Sequence, residues 1–106
     1  ILNNNNIYIF GTGIYARKIY FLCIELGMKN FKGFLESKKQ NIDKENLYGY
    51  PIYEYCSMNK KKSIILGLNK KNTEEVKKIL NKRDCYIELW RNYKAECNKL
   101  IKNKVI

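Results

Sequence analysis

Four consecutive apolar or aromatic residues, Ile7-Tyr8-Ile9-Phe10, run directly into Gly11-Thr12-Gly13-Ile14-Tyr15-Ala16 and then into a stretch whose apolar residues recur every three or four positions. An unbroken apolar run suits a strand buried on both faces, as in a parallel sheet, and the change of period marks a helix. Glycine at 11 and 13 suits so abrupt a turn, because a Cβ there would obstruct either the bend or a group approaching the backbone. Amides in the first turn of a helix have no acceptor within it and lie at the positive end of its dipole, so the segment is suited to an anion, a phosphate above all.

The helix is expected from about Ile14 to Leu26, with Ala16, Ile19, Tyr20, Cys23, Ile24 and Leu26 on its buried face, Arg17, Lys18 and Glu25 opposite, and Gly27 as its C-terminal cap. Phe31 to Leu35 then reads as a second strand ending at Glu36, which completes a βαβ unit of roughly thirty residues. Ser37 to Asn46 is polar and aperiodic, a loop. Leu47-Tyr48-Gly49-Tyr50-Pro51-Ile52-Tyr53 contains the only proline, and its Gly-x-Pro step predicts an extended segment with a turn along an edge of the sheet. Ser63 to Leu68 is the next buried strand, with Gly67 near its C-terminal end. Asn72 and Glu75 resemble a capping pair for a helix that buries Val76, Ile79 and Leu80, with Thr73 as an alternative cap. Cys85 to Trp90 makes a further strand, and from Arg91 onward a lysine-rich helix is expected, with Ala95, Leu100 and Ile101 on its buried side and Trp90 packed against it.

Such alternation calls for an α/β fold: a small Rossmann-like, three-layer domain whose mostly parallel sheet of about four strands is flanked by helices. The first strand takes the centre, the second one side, and the strands starting at Ser63 and Cys85 the other. No linker or repeat divides the chain, so residues 1–106 read as one domain. Ligands of these sheets bind beyond the carboxyl ends of the strands where the winding reverses, here the crevice between Gly11–Gly13 and Gly67–Asn69.

Glu36 stands at the end of the second strand, where a carboxylate can accept hydrogen bonds from both hydroxyls of a ribose; a solvated turn acid is the alternative. The expected ligand-binding residues are Gly11, Thr12, Gly13, Ile14, Tyr15, Glu36, Ser37, Gly67, Leu68 and Asn69. Ala16 occupies the third glycine place of a G-x-G-x-x-G pattern, where a methyl group still lets the helix lie close to the sheet. Arg17 and Lys18 can reach toward a pyrophosphate or belong to the solvent face, and Lys70 follows Asn69 at the mouth of the crevice.

No His occurs anywhere, which removes Ser-His and Cys-His nucleophile systems, and the four cysteines form no C-x-x-C pair, so neither a catalytic constellation nor a metal site is expected. Cys23, Cys56, Cys85 and Cys97 read as reduced thiols, three of them inside periodic segments where free Cys behaves as a small hydrophobe. The net charge of +11 invites a polyanion, yet the lysines are scattered, and their abundance beside Asn, Ile and Tyr follows A·T-rich coding. Lys60-Lys61-Lys62 is the only tight run and falls in a loop, where charge is ordinarily solvated, so nucleic acid is not an expected partner. There is no apolar run of about eighteen residues and no signal-peptide pattern, which predicts a cytoplasmic chain without membrane insertion. A start without Met and an end on Lys104-Val105-Ile106 suggest a piece of a longer polypeptide.

The succession IYIFGTGIYARKIYFLCIELG, FKGFLES, YGYPIYEY and KSIILGLNKKNTEEVKKIL resembles the small Rossmann-like domains of bacterial cell-surface glycan enzymes. These include the N-terminal nucleotide-sugar-binding domain of sugar acyltransferases and domains joined to sugar methyltransferases or glycosyltransferases. The resemblance implies phosphates at Gly11 to Gly13, a sugar or ribose contact at Glu36, and a strand end at Gly67 bordering the nucleotide. Many acyltransferase members carry a paired acid where this chain has Glu36-Ser37, and their β-helix repeats and histidine base are absent here. Binding of a nucleotide-sugar or NAD(P) is thereby implied, with turnover left to a fused catalytic domain. A structural or homo-oligomerising module without ligand, and the NAD-binding part of an oxidoreductase or epimerase, stay open as alternatives.

Overall fold

Ile7, Tyr8, Ile9 and Phe10 are all buried, as a run without alternation requires, and form β1 (Ile7–Phe10) at the centre of the sheet. The computed structural model describes residues 6–25, 27–38 and 46–88. Leu26, the loop from 39 to 45, Trp90, Cys97 and the expected helix from Arg91 with Ala95, Leu100 and Ile101 lie outside them.

After β1 come α1 (Ile14–Glu25), β2 (Phe31–Glu36), a hairpin of β3 (Asn46–Leu47) and β4 (Tyr50–Glu54), a short 3₁₀ turn at Tyr55–Ser57, β5 (Ser63–Leu66), α2 (Lys70–Lys77) and β6 (Cys85–Glu88). The sheet order is β3-β4-β2-β1-β5-β6, parallel throughout except for the β3–β4 pair. Phe10 stands opposite Leu35 of β2 and Leu66 of β5, so the strand ends of all three reach the same level. From β1 the chain steps outward through β2 to β4, then returns to the other side of β1 at β5. The winding reverses between β1 and β5.

Alternation along β1 divides the core in two. Ile7 and Ile9 pack with Ala16, Ile19, Tyr20 and Cys23 of α1, whereas Tyr8 and Phe10 pack with Val76 of α2, Tyr55 and Leu35. The two helices thus cover opposite faces, as crossovers of one hand on either side of β1 demand.

The six strands exceed the expected four because the Pro51 segment forms a hairpin that joins the sheet. Pairing of β4 with β2 begins at Ile52 opposite Phe34, so the missing amide of Pro51 falls outside that ladder. Tyr48 (φ 52°) and Gly49 (φ 82°) both have positive φ, the mark of a type I′ turn whose twist matches the strands it joins. Asn46, expected in the loop, is the first residue of β3.

Gly27 ends α1 as expected: at φ 91° its amide donates to the Ile24 carbonyl at 3.0 Å while that of Met28 donates to Cys23 at 2.9 Å. Ile24 is a correction, since it is exposed. It lies roughly 90° around the helix from the centre of the buried face. In α2 the cap is Asn69, whose Oδ1 accepts from the Asn72 amide at 2.8 Å, so Asn72 is the capped residue and not the cap. Thr73 is fully buried, with its hydroxyl 3.4 Å from the Leu68 carbonyl. Val76 is buried, but Ile79 falls beyond the last helical residue and is exposed.

The lysine run needs a further correction. Lys60 and Lys61 are exposed, but Lys62 is buried, because it immediately precedes β5 and Asp84 immediately precedes the neighbouring β6. The Asp84 carboxylate accepts from the Lys62 backbone amide at 2.9 Å and from the Tyr55 hydroxyl at 2.6 Å, and lies 3.4 Å from the Lys62 ammonium. The ammonium also donates to the Lys60 carbonyl at 2.7 Å and sits 4.9 Å from the centre of the Tyr55 ring. Cys23 is buried, Cys56 exposed and Cys85 half-buried.

Candidate functional site

Gly11 makes the turn out of β1. It has φ 113°, its amide continues the sheet by donating to the Leu35 carbonyl at 2.7 Å, and a Cβ on it would come within 2.9 Å of the Gly67 carbonyl oxygen and of a Leu68 methyl. Gly67, at the end of β5, is constrained from the other side: a Cβ there would lie 2.8 Å from the Cα of Ala16. Small residues at 11, 16 and 67 therefore let α1, β1 and β5 converge, which is the close approach expected of Ala16.

Gly13 differs. A Cβ on it would meet nothing within 4 Å, so the bend itself does not need this glycine. Its carbonyl accepts from the Arg17 amide at 3.0 Å and opens α1. The amides of Ile14, Tyr15 and Ala16 follow in the first turn, where no helical acceptor exists.

These elements enclose a cavity of about 310 Å³ lined by Gly11, Thr12, Gly13, Ile14, Tyr15, Glu36, Gly67, Leu68, Asn69 and Asn72. It lies at the carboxyl ends of β1, β2 and β5, at the reversal of the winding. Every expected residue except Ser37 lines it. Ser37 follows Glu36 just past β2 and is outside the lining, and so are Lys18 and Lys70. Asn72 was not foreseen. Its signal was present in the Asn69-x-x-Asn72 spacing, which places a residue of the first α2 turn beside the strand end.

The Thr12 hydroxyl donates to Glu36 Oε2 at 2.6 Å, and Arg17 Nε donates to the Thr12 carbonyl at 3.0 Å. Arg17 thus holds the loop and is not a lining side chain. Among the described residues the lining carries one carboxylate and no basic side chain. The N-termini of α1 and α2 both border it, with the positive ends of their dipoles facing the site that holds the Glu36 carboxylate. Ile14, two-thirds exposed, and Leu68 give it an apolar border.

A second cavity of about 220 Å³ is lined by Tyr55, Cys56, Met58, Asn59, Ile79, Asn81 and Arg83, beside the buried Lys62–Asp84 pair. Burial, reinforced by the bond to Asp84, pushes the Tyr55 phenol up to about 12, and burial lowers Lys62 against the opposing pull of Asp84. Among the described residues no group of three or more His, Cys, Asp or Glu side chains is placed to hold a metal ion, and no helix is long and apolar enough to cross a membrane. Comparison with family models, with curated proteins and with solved structures gives no match to this chain.

Proposed function

We propose that the 310 Å³ cavity binds a nucleotide of the nucleotide-sugar or dinucleotide class, with phosphates against the Gly11–Gly13 turn and a ribose hydroxyl at Glu36. The observation that carries this reading is the contrast between the glycines. Gly11 and Gly67 are demanded by packing, whereas a Cβ on Gly13 would meet nothing, beside the start of α1 whose first amides have no helical acceptor, a position where a ligand rather than the fold needs a bare backbone. A Rossmann-like, three-layer assignment is supported by the parallel order β4-β2-β1-β5-β6 and by helices on both faces. The chain acts as the recognition domain of a cytoplasmic glycan-biosynthesis protein, and bond-making falls to a fused catalytic domain.

One observation favours a second reading, a structural module without ligand: the acid at the mouth already has an internal donor in Thr12. Calorimetry with UDP-sugars, CMP-sugars, NAD and NADP separates the two. Saturable binding of one of them supports recognition, and silence from all of them leaves the structural module.

A further inference from the structure

Thr12 was expected as part of the phosphate turn, but its hydroxyl is turned away from that role and toward β2. It donates to Glu36 Oε2 at 2.6 Å, while its own carbonyl is held by Arg17 Nε at 3.0 Å. Both Thr12 and Glu36 are half-buried, and both line the cavity. A Glu side chain has three rotatable bonds and, when free, spreads its carboxylate over many positions. Here Arg17, on the second turn of α1, fixes the loop, and the loop fixes the carboxylate at the end of the neighbouring strand.

We propose that Thr12 is a positioning residue for Glu36, so that the cavity selects ligands carrying a free vicinal diol. The inference rests on the nucleotide-binding reading. A carboxylate offers about four lone-pair sites. Thr12 occupies one, on Oε2, and leaves both sites of Oε1 and one of Oε2, which matches two adjacent hydroxyls presented from the cavity. The bond also joins the phosphate-binding turn to the diol-binding acid, so that the two halves of the site keep a fixed separation. A nucleotide is then gripped at both points without the acid having to be ordered on binding.

The test is the affinity of UDP and 2′-deoxy-UDP, and of ADP and 2′-deoxy-ADP, for the wild-type chain, Thr12→Val and Thr12→Ser. Wild type should prefer the ribose form of the nucleotide it binds. Thr12→Val, which keeps the shape and removes the donor, should lose about tenfold more affinity for that form than for the deoxy form, a difference of about 1.4 kcal/mol. Thr12→Ser, which restores a hydroxyl, should recover the preference. Arg17→Gln, which releases the Thr12 carbonyl, should reduce the same ratio. An unchanged ratio in Thr12→Val, or equal loss for both forms, overturns the positioning role while nucleotide binding stands. Wild-type protein that binds neither nucleotide nor any ligand of the calorimetric panel overturns the nucleotide reading, and the positioning role with it.

Discussion

Lys62 and Asp84 place their charges 3.4 Å apart with both side chains wholly out of solvent. The pair, at the amino ends of β5 and β6, ties the starts of these strands together, and through the Tyr55 hydroxyl it reaches the 3₁₀ turn that follows the carboxyl end of β4. Asp84 has more partners than Lys62: the Tyr55 hydroxyl, the Lys62 amide and ammonium, and Arg83 Nε at 3.7 Å.

That asymmetry predicts unequal mutants. Asp84→Ala strands a buried ammonium together with a buried phenol and an amide, and should cost about 3–5 kcal/mol. Lys62→Met leaves Asp84 with its remaining donors and keeps an apolar stem, and should cost about 1–2 kcal/mol. Urea denaturation at pH 7 checks both, and equal losses would remove Asp84 as the centre of the network.

Titration gives the same cluster a distinct alkaline signature. In the unfolded chain Tyr55 releases its proton near its ordinary value of 10.0, in the folded chain at about 12. Below pH 10 both states hold the proton and the stabilisation is complete. Between pH 10 and 12 only the folded state holds it, so stability falls as pH rises, by about 3 kcal/mol in all. Tyr8 and Tyr20, raised by burial, act in the same direction. Lys62 acts in the opposite one, because a folded-state value below 10.5 makes the unfolded chain hold the extra proton, and stability rises with pH up to 10.5. Denaturation midpoints between pH 8 and 12 should therefore fall less steeply above pH 10 in Tyr55→Phe, and should lose the preceding rise in Lys62→Met.

What the sequence revealed were features enforced by neighbours along the chain. The β1 run, the Gly11 bend, the small Ala16 and the Gly27 cap each follow from local pattern, and together they bring the expected cavity residues into place. What it hid depends on partners distant in sequence. Lys62 looked solvated because nothing in its run announces Asp84, which comes alongside only when β5 and β6 pair. The β3–β4 hairpin was hidden by Pro51, whose cost depends on where the β2 ladder begins. Asn72 reads as the cap from sequence because a three-residue capping spacing fits either start, and only the end of β5 at Leu66 fixes Asn69 as the cap.

The glycines of the turn should separate fold from ligand. Gly11→Ala meets backbone at 2.9 Å in a conformation that side chains avoid, and should cost about 1–3 kcal/mol of stability. Gly13→Ala meets nothing within 4 Å and should change the melting temperature little. The same methyl should lower affinity for the bound nucleotide about tenfold or more, a loss of about 1.4 kcal/mol or greater, by holding phosphate oxygens away from the amides. Thermal melts paired with calorimetry check this, and a Gly13→Ala chain that binds as wild type would place the phosphates elsewhere.

At the opposite wall the two asparagines divide in the same manner. Asn69 Oδ1 satisfies an amide that α2 cannot satisfy itself, so Asn69→Ala should destabilise the chain by about 1 kcal/mol. Asn72 contributes only its backbone amide to that cap, and its exposed side chain lines the cavity. Asn72→Ala should therefore leave the melting temperature nearly unchanged while weakening ligand binding. The discriminating quantity is the ratio of the two effects: should Asn72→Ala melt early and bind normally, its side chain belongs to the helix and not to the site.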